Sequence, residues 1–410
     1  MAVDVRTRVD APRAELDPDR FFGDELPARI DEHAAAILPA LAFIRPRPLE
    51  IEVEGEPWTL TADDARVMVE RGPRPDAKAR VKLGREQLAD LVDDQQTVMS
   101  LWASGALDQR AGTVGHLLDW WLVLRSALDG TPIYTPGSVA LDDADGRPLD
   151  LTRAFHADDD RAEMRHFLET AGFLHIEDLF DAAEMDAISA DMDRAASTYR
   201  EGDGRSWWAR TADGDTRLVR MQGFDRESDG ARAITEDARF LDLASMAGAG
   251  HQFGAKRASN KIEALFKPIG VTEGISDIPW HKDCGIGRHS YDCCGLTVGI
   301  SVSGADEVSG QLWVIAGSHR ALVWSGIRQP DLDLPEVPLP TRTGDVTLHL
   351  SCTMHMAQPP VERERRVMYS GFGLPPLAAT DTEALAAARS RLGAVREGAP
   401  LTVLDRHFKS

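Results

Sequence analysis

The chain has 410 residues, 43% of them hydrophobic and 28% charged, which is typical of a globular protein with its own apolar core. Its net charge of −21 argues against an extended surface for nucleic acid or anionic membranes. Residues 1–20 lack the apolar core of a signal peptide, and no apolar run reaches the length of a membrane span. The 4 cysteines are too few for the disulfide framework of a secreted protein, which indicates a cytoplasmic protein. From the charge and the apolar runs we expect neither nucleic-acid partners nor membrane insertion.

The first third of the chain predicts a small α+β domain. The predicted elements are a β-hairpin over 49–69, a strand over 79–83, and helices over 86–92 and 116–128. The strands are indicated by alternating apolar and charged residues, and the helices by apolar residues at helical spacing. We place this domain at 1–130. A linker is predicted at 131–150, where prolines, aspartates and glycines interrupt the apolar periodicity.

The rest of the chain predicts helices followed by many short strands. The predicted helices cover 161–169 and 181–196, and the predicted strands cover 173–176, 295–302, 311–315, 345–350 and 366–372. Short strands separated by turn residues, without helices between them, indicate a double-sheet β-barrel or jelly roll. We place this domain at 151–378, followed by a tail at 379–410 with one helix over 382–392.

A pattern of metal-binding residues lies in the second domain. Residues two apart on a strand point to the same side, so His281 and Asp283 can reach one metal while Lys282 turns away. A second histidine, His355, follows downstream. Two histidines and one carboxylate leave three positions of an octahedron open, as a non-haem Fe(II) oxygenase requires.

Three further features support this hypothesis, since a His-x-Asp tripeptide alone is common by chance. The segment 310–319 is a strand that ends in a Gly-Ser-His turn, and 344–355 is a Gly-Asp turn and strand that delivers His355. Arg366 lies on the next apolar strand, eleven residues beyond His355. A buried guanidinium there would bind a carboxylate in bidentate fashion, and alternation places the neighbouring Arg365 on the opposite face.

Together these features resemble the phytanoyl-CoA dioxygenase family over about 160–375. The similar segments are Gly172-Phe-Leu-His-Ile176, Pro279-Trp-His-Lys-Asp283, the Gly-Ser-His turn, the Gly-Asp strand start and the late His followed by Arg. The resemblance implies a double-stranded β-helix (jelly roll) core that uses Fe(II), 2-oxoglutarate and O2. It implies that His281, Asp283 and His355 hold the iron. It also implies that Arg366 anchors the 2-oxoglutarate.

The sequence departs from the family pattern after the second histidine. The family often has a Gly-Ser pair there, whose serine helps to hold 2-oxoglutarate, but this chain has Met356, Ala357 and Gln358. Gln358 and Thr297 are the candidates to replace that serine. Relatives that halogenate lack the ligand carboxylate, so the presence of Asp283 favours hydroxylation or a related oxidation.

Several other residues admit two interpretations. His349 is a rival for the distal ligand, because it lies six residues before His355 on the same strand. His319 is predicted to be structural rather than a ligand. Lys267 could meet an anionic cosubstrate or substrate, but it is predicted to be a surface lysine. The segment 201–220, which includes two tryptophans, is either a lid over the substrate or a packed surface loop.

The first domain resembles the sterol carrier protein fold over about 30–130. The similar features are the acidic hairpin, the following strand and helix, and Ala103-Ser-Gly-Ala-Leu107 before the last helix. The resemblance implies a module that binds an apolar ligand or mediates dimerisation. Trp120 and Trp121 either line its cavity or belong to the packed core.

The predicted function is that of an Fe(II)- and 2-oxoglutarate-dependent dioxygenase. It would hydroxylate, or otherwise oxidise, an unactivated C–H bond of a small or lipid-like molecule and release succinate and CO2. A homodimer is compatible with this hypothesis. The alternatives are a metal-dependent hydrolase or isomerase that uses the same three ligands, and a lipid-binding protein without catalysis.

Overall fold

The fold comes from a computed structural model that describes residues 15–103, 105–248, 250–253, 260–274, 276–284 and 295–374. The predicted helix at 382–392 lies outside these residues. Among the described helices, none has the length and hydropathy needed to cross a membrane.

Short π or 3-10 turns occur at Phe21–Glu25, Phe224–Arg226 and Leu243–Ala247. The described α-helices are α1 (Pro18–Arg20), α2 (Leu26–Glu32), α3 (Ala34–Ile44), α4 (Arg85–Val92), α5 (Val98–Ala103), α6 (Val114–Asp129), α7 (Arg161–Ala171), α8 (Ala182–Ala196), α9 (Asp229–Ile234) and α10 (Ala238–Asp242). The described strands are β1 (Leu49–Val53), β2 (Glu56–Asp63), β3 (Arg66–Arg71), β4 (Ala79–Leu83), β5 (Asp108–Ala111), β6 (Phe173–Ile176), β7 (Ser206–Thr211), β8 (Thr216–Gln222), β9 (Gln252–Phe253), β10 (Glu263–Lys267), β11 (Val271–Glu273), β12 (Gly295–Ser301), β13 (Leu312–Ile315), β14 (Glu336–Leu339), β15 (Val346–Leu350), β16 (His355–Ala357) and β17 (Arg365–Gly373).

The amino-terminal part contains a mixed sheet with the strand order β3-β2-β1-β4-β5. Alternation in β1 explains its position, because its three apolar side chains are buried and its two glutamates point to the other face. There Glu50 pairs with Arg80 and Glu52 with Lys82, across the parallel β1–β4 register. The predicted strands and helices of this region therefore occur as strands and helices in the structure.

The helices of this part cover the sheet and form one apolar core. Helix α6 contributes Trp120 and Trp121, both fully buried, and the indole nitrogen of Trp120 donates to Arg47 O at 2.6 Å. The same core includes Leu322 and Ile327 from the second part of the chain. The two tryptophans thus belong to a packed core, while the sterol-carrier resemblance and the domain boundaries stay predictions.

A buried arginine ties α6 to the end of α4. The side chain of Arg125 is 2% exposed. Its Nε donates to Asp129 Oδ2 at 2.8 Å, and its terminal nitrogens donate to Leu91 O at 2.9 Å and Val92 O at 3.1 Å. The guanidinium also lies 5.5 Å from the ring of Trp121. This single side chain satisfies two carbonyls and a carboxylate in a region that water does not reach.

We predict that Arg125→Ala lowers the free energy of unfolding by about 3–5 kcal/mol, because it leaves a buried carboxylate and two carbonyls without their donor. Chemical denaturation of the purified variant measures this loss. The matched control is Arg147→Ala, which removes an ion pair with Asp143 from a side chain that is 70% exposed. The control should unfold at the same denaturant concentration as the wild type. Equal stability of Arg125→Ala and the wild type would contradict the prediction.

The second part contains a large sheet with the strand order β11-β7-β8-β10-β17-β12-β15-β6, with β9 attached to β17. Within the described residues its pairings are antiparallel. A smaller sheet has the order β14-β13-β16. This arrangement is typical of a double-stranded β-helix catalytic domain and confirms the predicted α+β fold class.

Glycines fix the two turns that the family resemblance pointed to. Gly172 ends α7 with a φ of 86°, and a Cβ there would lie 2.3 Å from His319 Nδ1. His319 Nε2 bonds Glu169 O at 3.0 Å, which agrees with its predicted structural role. Gly344 has a φ of 93°, and a Cβ there would lie 1.9 Å from Phe180 O.

The aspartate after Gly344 locks the start of β15. Asp345 accepts hydrogen bonds from the backbone of Asp178 at 3.0 Å and of Arg342 at 2.7 Å, and His175 Nε2 lies 3.0 Å away. These contacts fasten β6 and the turn before β15 to each other. Because β15 leads directly to β16, they set where the second ligand histidine enters the barrel.

Candidate metal centre

Two backbone hydrogen bonds bring together the two predicted ligand histidines. The N–H of His281 donates to His355 O at 2.9 Å, and the N–H of His355 donates to His281 O at 2.9 Å. On its other side His355 pairs with Val314 of β13. The segment before Asp283 therefore acts as a short extra strand beside β16.

The three predicted ligands converge on one point. Asp283 Oδ1 lies 3.6 Å from His281 Nε2 and 3.8 Å from His355 Nε2. The donor atoms of the three residues all lie within 4.8 Å of one another. Lys282 turns away, as predicted, and its Nζ donates to Ser318 O at 2.8 Å.

Both imidazoles are oriented for metal binding. His281 Nδ1 lies 2.7 Å from Pro279 O, and His355 Nδ1 lies 2.8 Å from Thr353 O. A carbonyl oxygen only accepts, so each Nδ1 carries the proton and each Nε2 presents a lone pair to the centre. Two imidazole nitrogens and one carboxylate are a donor set that suits Fe(II), so the residues fit the metal that the family resemblance implies.

The electrostatics of the centre favour the protonation states that bind a metal. Partial burial acts to raise the pKa of the Asp283 carboxyl, but His355, His281 and His349 together hold that pKa well below its usual range. Burial, reinforced by the neighbouring histidines, holds the pKa of His355 well below its usual range. A carboxylate and neutral imidazoles are the forms that coordinate metal ions.

Thr297 and His349 lie beside the three ligands. Thr297 is on β12, directly opposite His349 of β15. Thr297 Oγ1 lies 3.3 Å from Asp283 Oδ2 and 3.3 Å from Ser351 Oγ. His349 Nε2 lies 4.0 Å from Asp283 Oδ2, and its ring centroid lies 4.3 Å from that of His355. Both residues therefore face the metal centre. His349 lies nearer to Oδ2 of Asp283, whereas His281 and His355 face Oδ1.

The structure places Arg366 outside the barrel, contrary to the sequence prediction. Its guanidinium bonds Asp193 of α8 at 2.7 and 2.9 Å and Ser189 O at 2.9 Å. It also stacks on Phe266 at 5.1 Å. Arg366 is thus engaged with a surface helix and does not face the ligands.

Arg365, which was predicted to point outwards, faces the interior. Strand β17 pairs with β12 so that Gly371 lies opposite Thr297. Alternate residues counted back from Gly371, which are Tyr369, Val367 and Arg365, share the face of Thr297. Arg365 is 4% exposed, and its buried Nε has no hydrogen-bond partner among the described residues. The prediction rested on the spacing of eleven residues from His355 and on the family resemblance. Residues 358–364 between β16 and β17 form a loop, so that spacing does not determine which arginine faces the interior.

Lys267 is also buried, which corrects its prediction as a surface lysine. It lies directly across from Arg365 in the β10–β17 register and is 2% exposed. It pairs with the Asp277 carboxylate and donates to Ser276 O. Burial lowers the pKa of Lys267 to about 8. Lys267 thus has a carboxylate partner, and the buried Arg365 beside it adds a second positive charge.

Gln358 lies just after β16, and its N–H donates to Gln311 O at 3.1 Å. Among the described residues, no hydrogen bond joins its side chain to the three ligands. Its predicted contact with 2-oxoglutarate stays a prediction.

A second group of polar residues on the interior face, formed by Arg220, Glu263 and Asn260, was not predicted from the sequence. The segment 201–220, predicted as a lid or a surface loop, contains strands β7 and β8 of the large sheet. Arg220 pairs with the buried Glu263 and lies 4.4 Å from the ring centroid of Trp207. Asn260 donates to Glu263 at 2.5 Å. Charged residues lie on both faces of β8, and apolar and polar residues do not alternate along β7, so neither strand shows the alternation that predicts a strand.

Comparison with known proteins agrees with this site. The family model "Phytanoyl-CoA dioxygenase (PhyH)" matches residues 168–367. No curated protein sequence matches the chain.

Several solved structures are similar in fold. EctD from S. alaskensis with 2-oxoglutarate and 5-hydroxyectoine is 17% identical, with a TM-score of 0.43 over 59% of this chain and 86% of that chain. The alpha ketoglutarate dependent carbocyclase SnoK from nogalamycin biosynthesis is 18% identical, with a TM-score of 0.41 over 55% of this chain and 90% of that chain. The epimerase SnoN in complex with Fe3+, alpha ketoglutarate and nogalamycin RO is 20% identical, with a TM-score of 0.42 over 52% and 83%.

The family model covers the segment that carries the three converging ligands, the Gly-Asp turn and Arg365. Through residues 168–367 the chain therefore belongs to the phytanoyl-CoA dioxygenase family, and it is an iron- and 2-oxoglutarate-dependent oxygenase.

Proposed function

We propose that this oxygenase oxidises an unactivated C–H bond of a small or lipid-like molecule, by hydroxylation in the first instance, with release of succinate and CO2. The observation that supports it best is the pairing of the His281, Asp283 and His355 cluster with a buried cation, Arg365, on the same interior face. A hydrolase on this barrel would need the metal ligands but not the buried guanidinium.

In this proposal His281 Nε2, His355 Nε2 and Asp283 Oδ1 hold the iron. Only three donors from the protein would hold the metal, which would leave coordination positions for the cosubstrate and O2. The bound iron and 2-oxoglutarate supply the oxidising chemistry, and the protein supplies orientation and exclusion of water. The carbonyls at Pro279 and Thr353 keep both imidazoles in the coordinating tautomer throughout.

Arg365, and not Arg366, takes the role of binding the distal carboxylate of 2-oxoglutarate. Its guanidinium is buried on the face of the ligands and retains an unused donor, whereas that of Arg366 is already paired with Asp193. Lys267 adds positive charge directly across the strand pair. Thr297 is the candidate that replaces the family serine near the cosubstrate, because it already contacts Asp283.

The substrate would bind over the interior face next to the iron. Trp207, Arg220 and Glu263 lie there on neighbouring strands, and Tyr369 lies across from Glu263. An aromatic ring beside an ion pair suits a molecule with an apolar body and at least one polar group. This composition supports a small or lipid-like substrate and leaves its identity to experiment.

We predict that Asp283→Ala and His355→Ala bind Fe(II) far more weakly than the wild type. Their loss of affinity should exceed the roughly 10–100-fold loss that substitution of a residue next to the ligands causes. The measurement is anaerobic Fe(II) titration with 2-oxoglutarate, followed by the weak visible charge-transfer band of an iron-bound 2-oxo acid. His319→Gln is the control, because His319 is buried but bonds only a carbonyl outside the centre. Unchanged Fe(II) affinity in Asp283→Ala would contradict the ligand assignment.

The two adjacent arginines provide a matched test of the cosubstrate anchor. We predict that Arg365→Leu weakens 2-oxoglutarate binding by about 2–5 kcal/mol, which is at least about 30-fold in Kd, because a buried carboxylate loses its partner. Arg366→Leu should keep the wild-type Kd, since it loses contacts only with α8. Titration of 2-oxoglutarate into the Fe(II)-loaded proteins measures both. The reverse ranking of the two variants would restore Arg366 as the anchor.

Turnover tests the proposed reaction itself. Incubation with small and lipid-like candidate substrates should produce succinate in step with an oxidised product, and only when Fe(II), 2-oxoglutarate and O2 are all present. Isotopically labelled O2 should place one labelled oxygen atom in the product if the reaction is hydroxylation. A product without label, formed in step with succinate, would exclude hydroxylation and favour another oxidation. Asp283→Ala is the inactive control.

A further inference from the structure

His349 is a buried histidine beside the metal centre that has no hydrogen-bond partner in the described part of the chain. Its side chain is 1% exposed, and neither ring nitrogen makes a hydrogen bond among the described residues. The imidazoles of His281 and His355 each use Nδ1 to bond a carbonyl. A buried polar group without a hydrogen-bond partner destabilises the protein, so the metal-free state gains no hydrogen bond from this imidazole.

The two oxygens of Asp283 have different surroundings. Oδ1 faces the Nε2 atoms of His281 and His355 at 3.6 and 3.8 Å. Oδ2 faces Thr297 Oγ1 at 3.3 Å and His349 Nε2 at 4.0 Å. One oxygen is therefore turned towards the metal-binding nitrogens, and the other towards two potential hydrogen-bond donors.

We propose that His349 is a positioning residue that, together with Thr297, holds the free oxygen of Asp283 when iron is bound. This inference rests on the proposed function of the three ligands. The present 4.0 Å is about 1 Å longer than a hydrogen bond, and a small rotation of the carboxylate or the imidazole closes the gap. Among the described residues, this oxygen is the carboxylate oxygen that lies within 4.0 Å of His349 Nε2.

The consequence concerns how many coordination positions stay open. A carboxylate that binds through both oxygens would occupy one of the three positions that the cosubstrate and O2 need. Donors on Oδ2 disfavour that mode and keep Asp283 bound through Oδ1 alone. His349 as a fourth ligand would also close a position, and it faces the wrong carboxylate oxygen for that role.

The test compares His349→Leu, which removes the donor, with His349→Gln, which keeps an N–H donor in nearly the same place. Thr347→Val is the control, because Thr347 lies two residues away on the same face of β15. The measurements are the Fe(II) Kd, the 2-oxoglutarate charge-transfer band, and the unfolding midpoint of the metal-free proteins.

We expect His349→Leu to bind Fe(II) about 10–100-fold more weakly and to shift the charge-transfer band, as the loss of an outer-shell partner does. His349→Gln should recover most of the affinity, and Thr347→Val should match the wild type. The metal-free Leu variant should unfold no earlier than the wild type, because it loses only an unpartnered imidazole. A purely structural histidine would instead lower that midpoint.

Three results would overturn the proposal. They are an unchanged Fe(II) Kd in His349→Leu, an equal loss in the Leu and Gln variants, and a loss of affinity that accompanies a lower unfolding midpoint of the metal-free protein. Each leaves the proposed function intact as long as the wild type binds Fe(II) and 2-oxoglutarate with the expected band. Absence of that band in the wild type would instead reject the proposed function itself.

Discussion

The site depends on one pair of backbone hydrogen bonds, those between His281 and His355. The two residues are far apart in the sequence, and this bridge sets their imidazoles side by side, 4.2 Å between ring centroids. Because β13 holds His355 from the other side, the bridge is continuous with the smaller sheet. The position of Asp283 then follows from the chain itself, since it lies two residues after His281. A backbone bridge is a stiffer way to place ligands than side-chain packing, and the carbonyls beside it also fix the tautomers.

The register of the large sheet determines which other residues surround the ligands. Strand β17 lies between β10 and β12, so its inward residues share a face with Lys267 on one side and Thr297 on the other. That one alignment turns Arg365 inwards and Arg366 towards α8. A slip of one residue would exchange the two arginines, so strand pairing determines which of them faces the interior.

Sequence reasoning identified what is encoded locally and failed where the outcome depends on pairing. The spacing of His281 and Asp283, and the turns at Gly172 and Gly344, are local and were confirmed as features of the fold. Arg365 faces the interior and Arg366 faces outwards, opposite to the predicted orientations, because a spacing counted across the loop at 358–364 does not fix which side of β17 a residue faces. The burial of Lys267 depends on Asp277, a partner that no periodicity reveals. The β7–β8 hairpin was missed because it is polar on both faces, and the strand signal relies on apolar alternation.

The charges of the interior explain why an acidic protein can still hold a dianionic cosubstrate. The chain carries −21 overall, but distant surface charges are screened by salt, and buried ones are not. Neutral histidines and one carboxylate leave an Fe(II) centre with one excess positive charge, which matches the carboxylate that a 2-oxo acid places on the metal. Lys267, Arg365 and Asp277 together carry a second excess positive charge, which in the proposed function matches the distal carboxylate. Since burial penalises unbalanced charge, the two ends of the pocket favour a ligand with one carboxylate at each end.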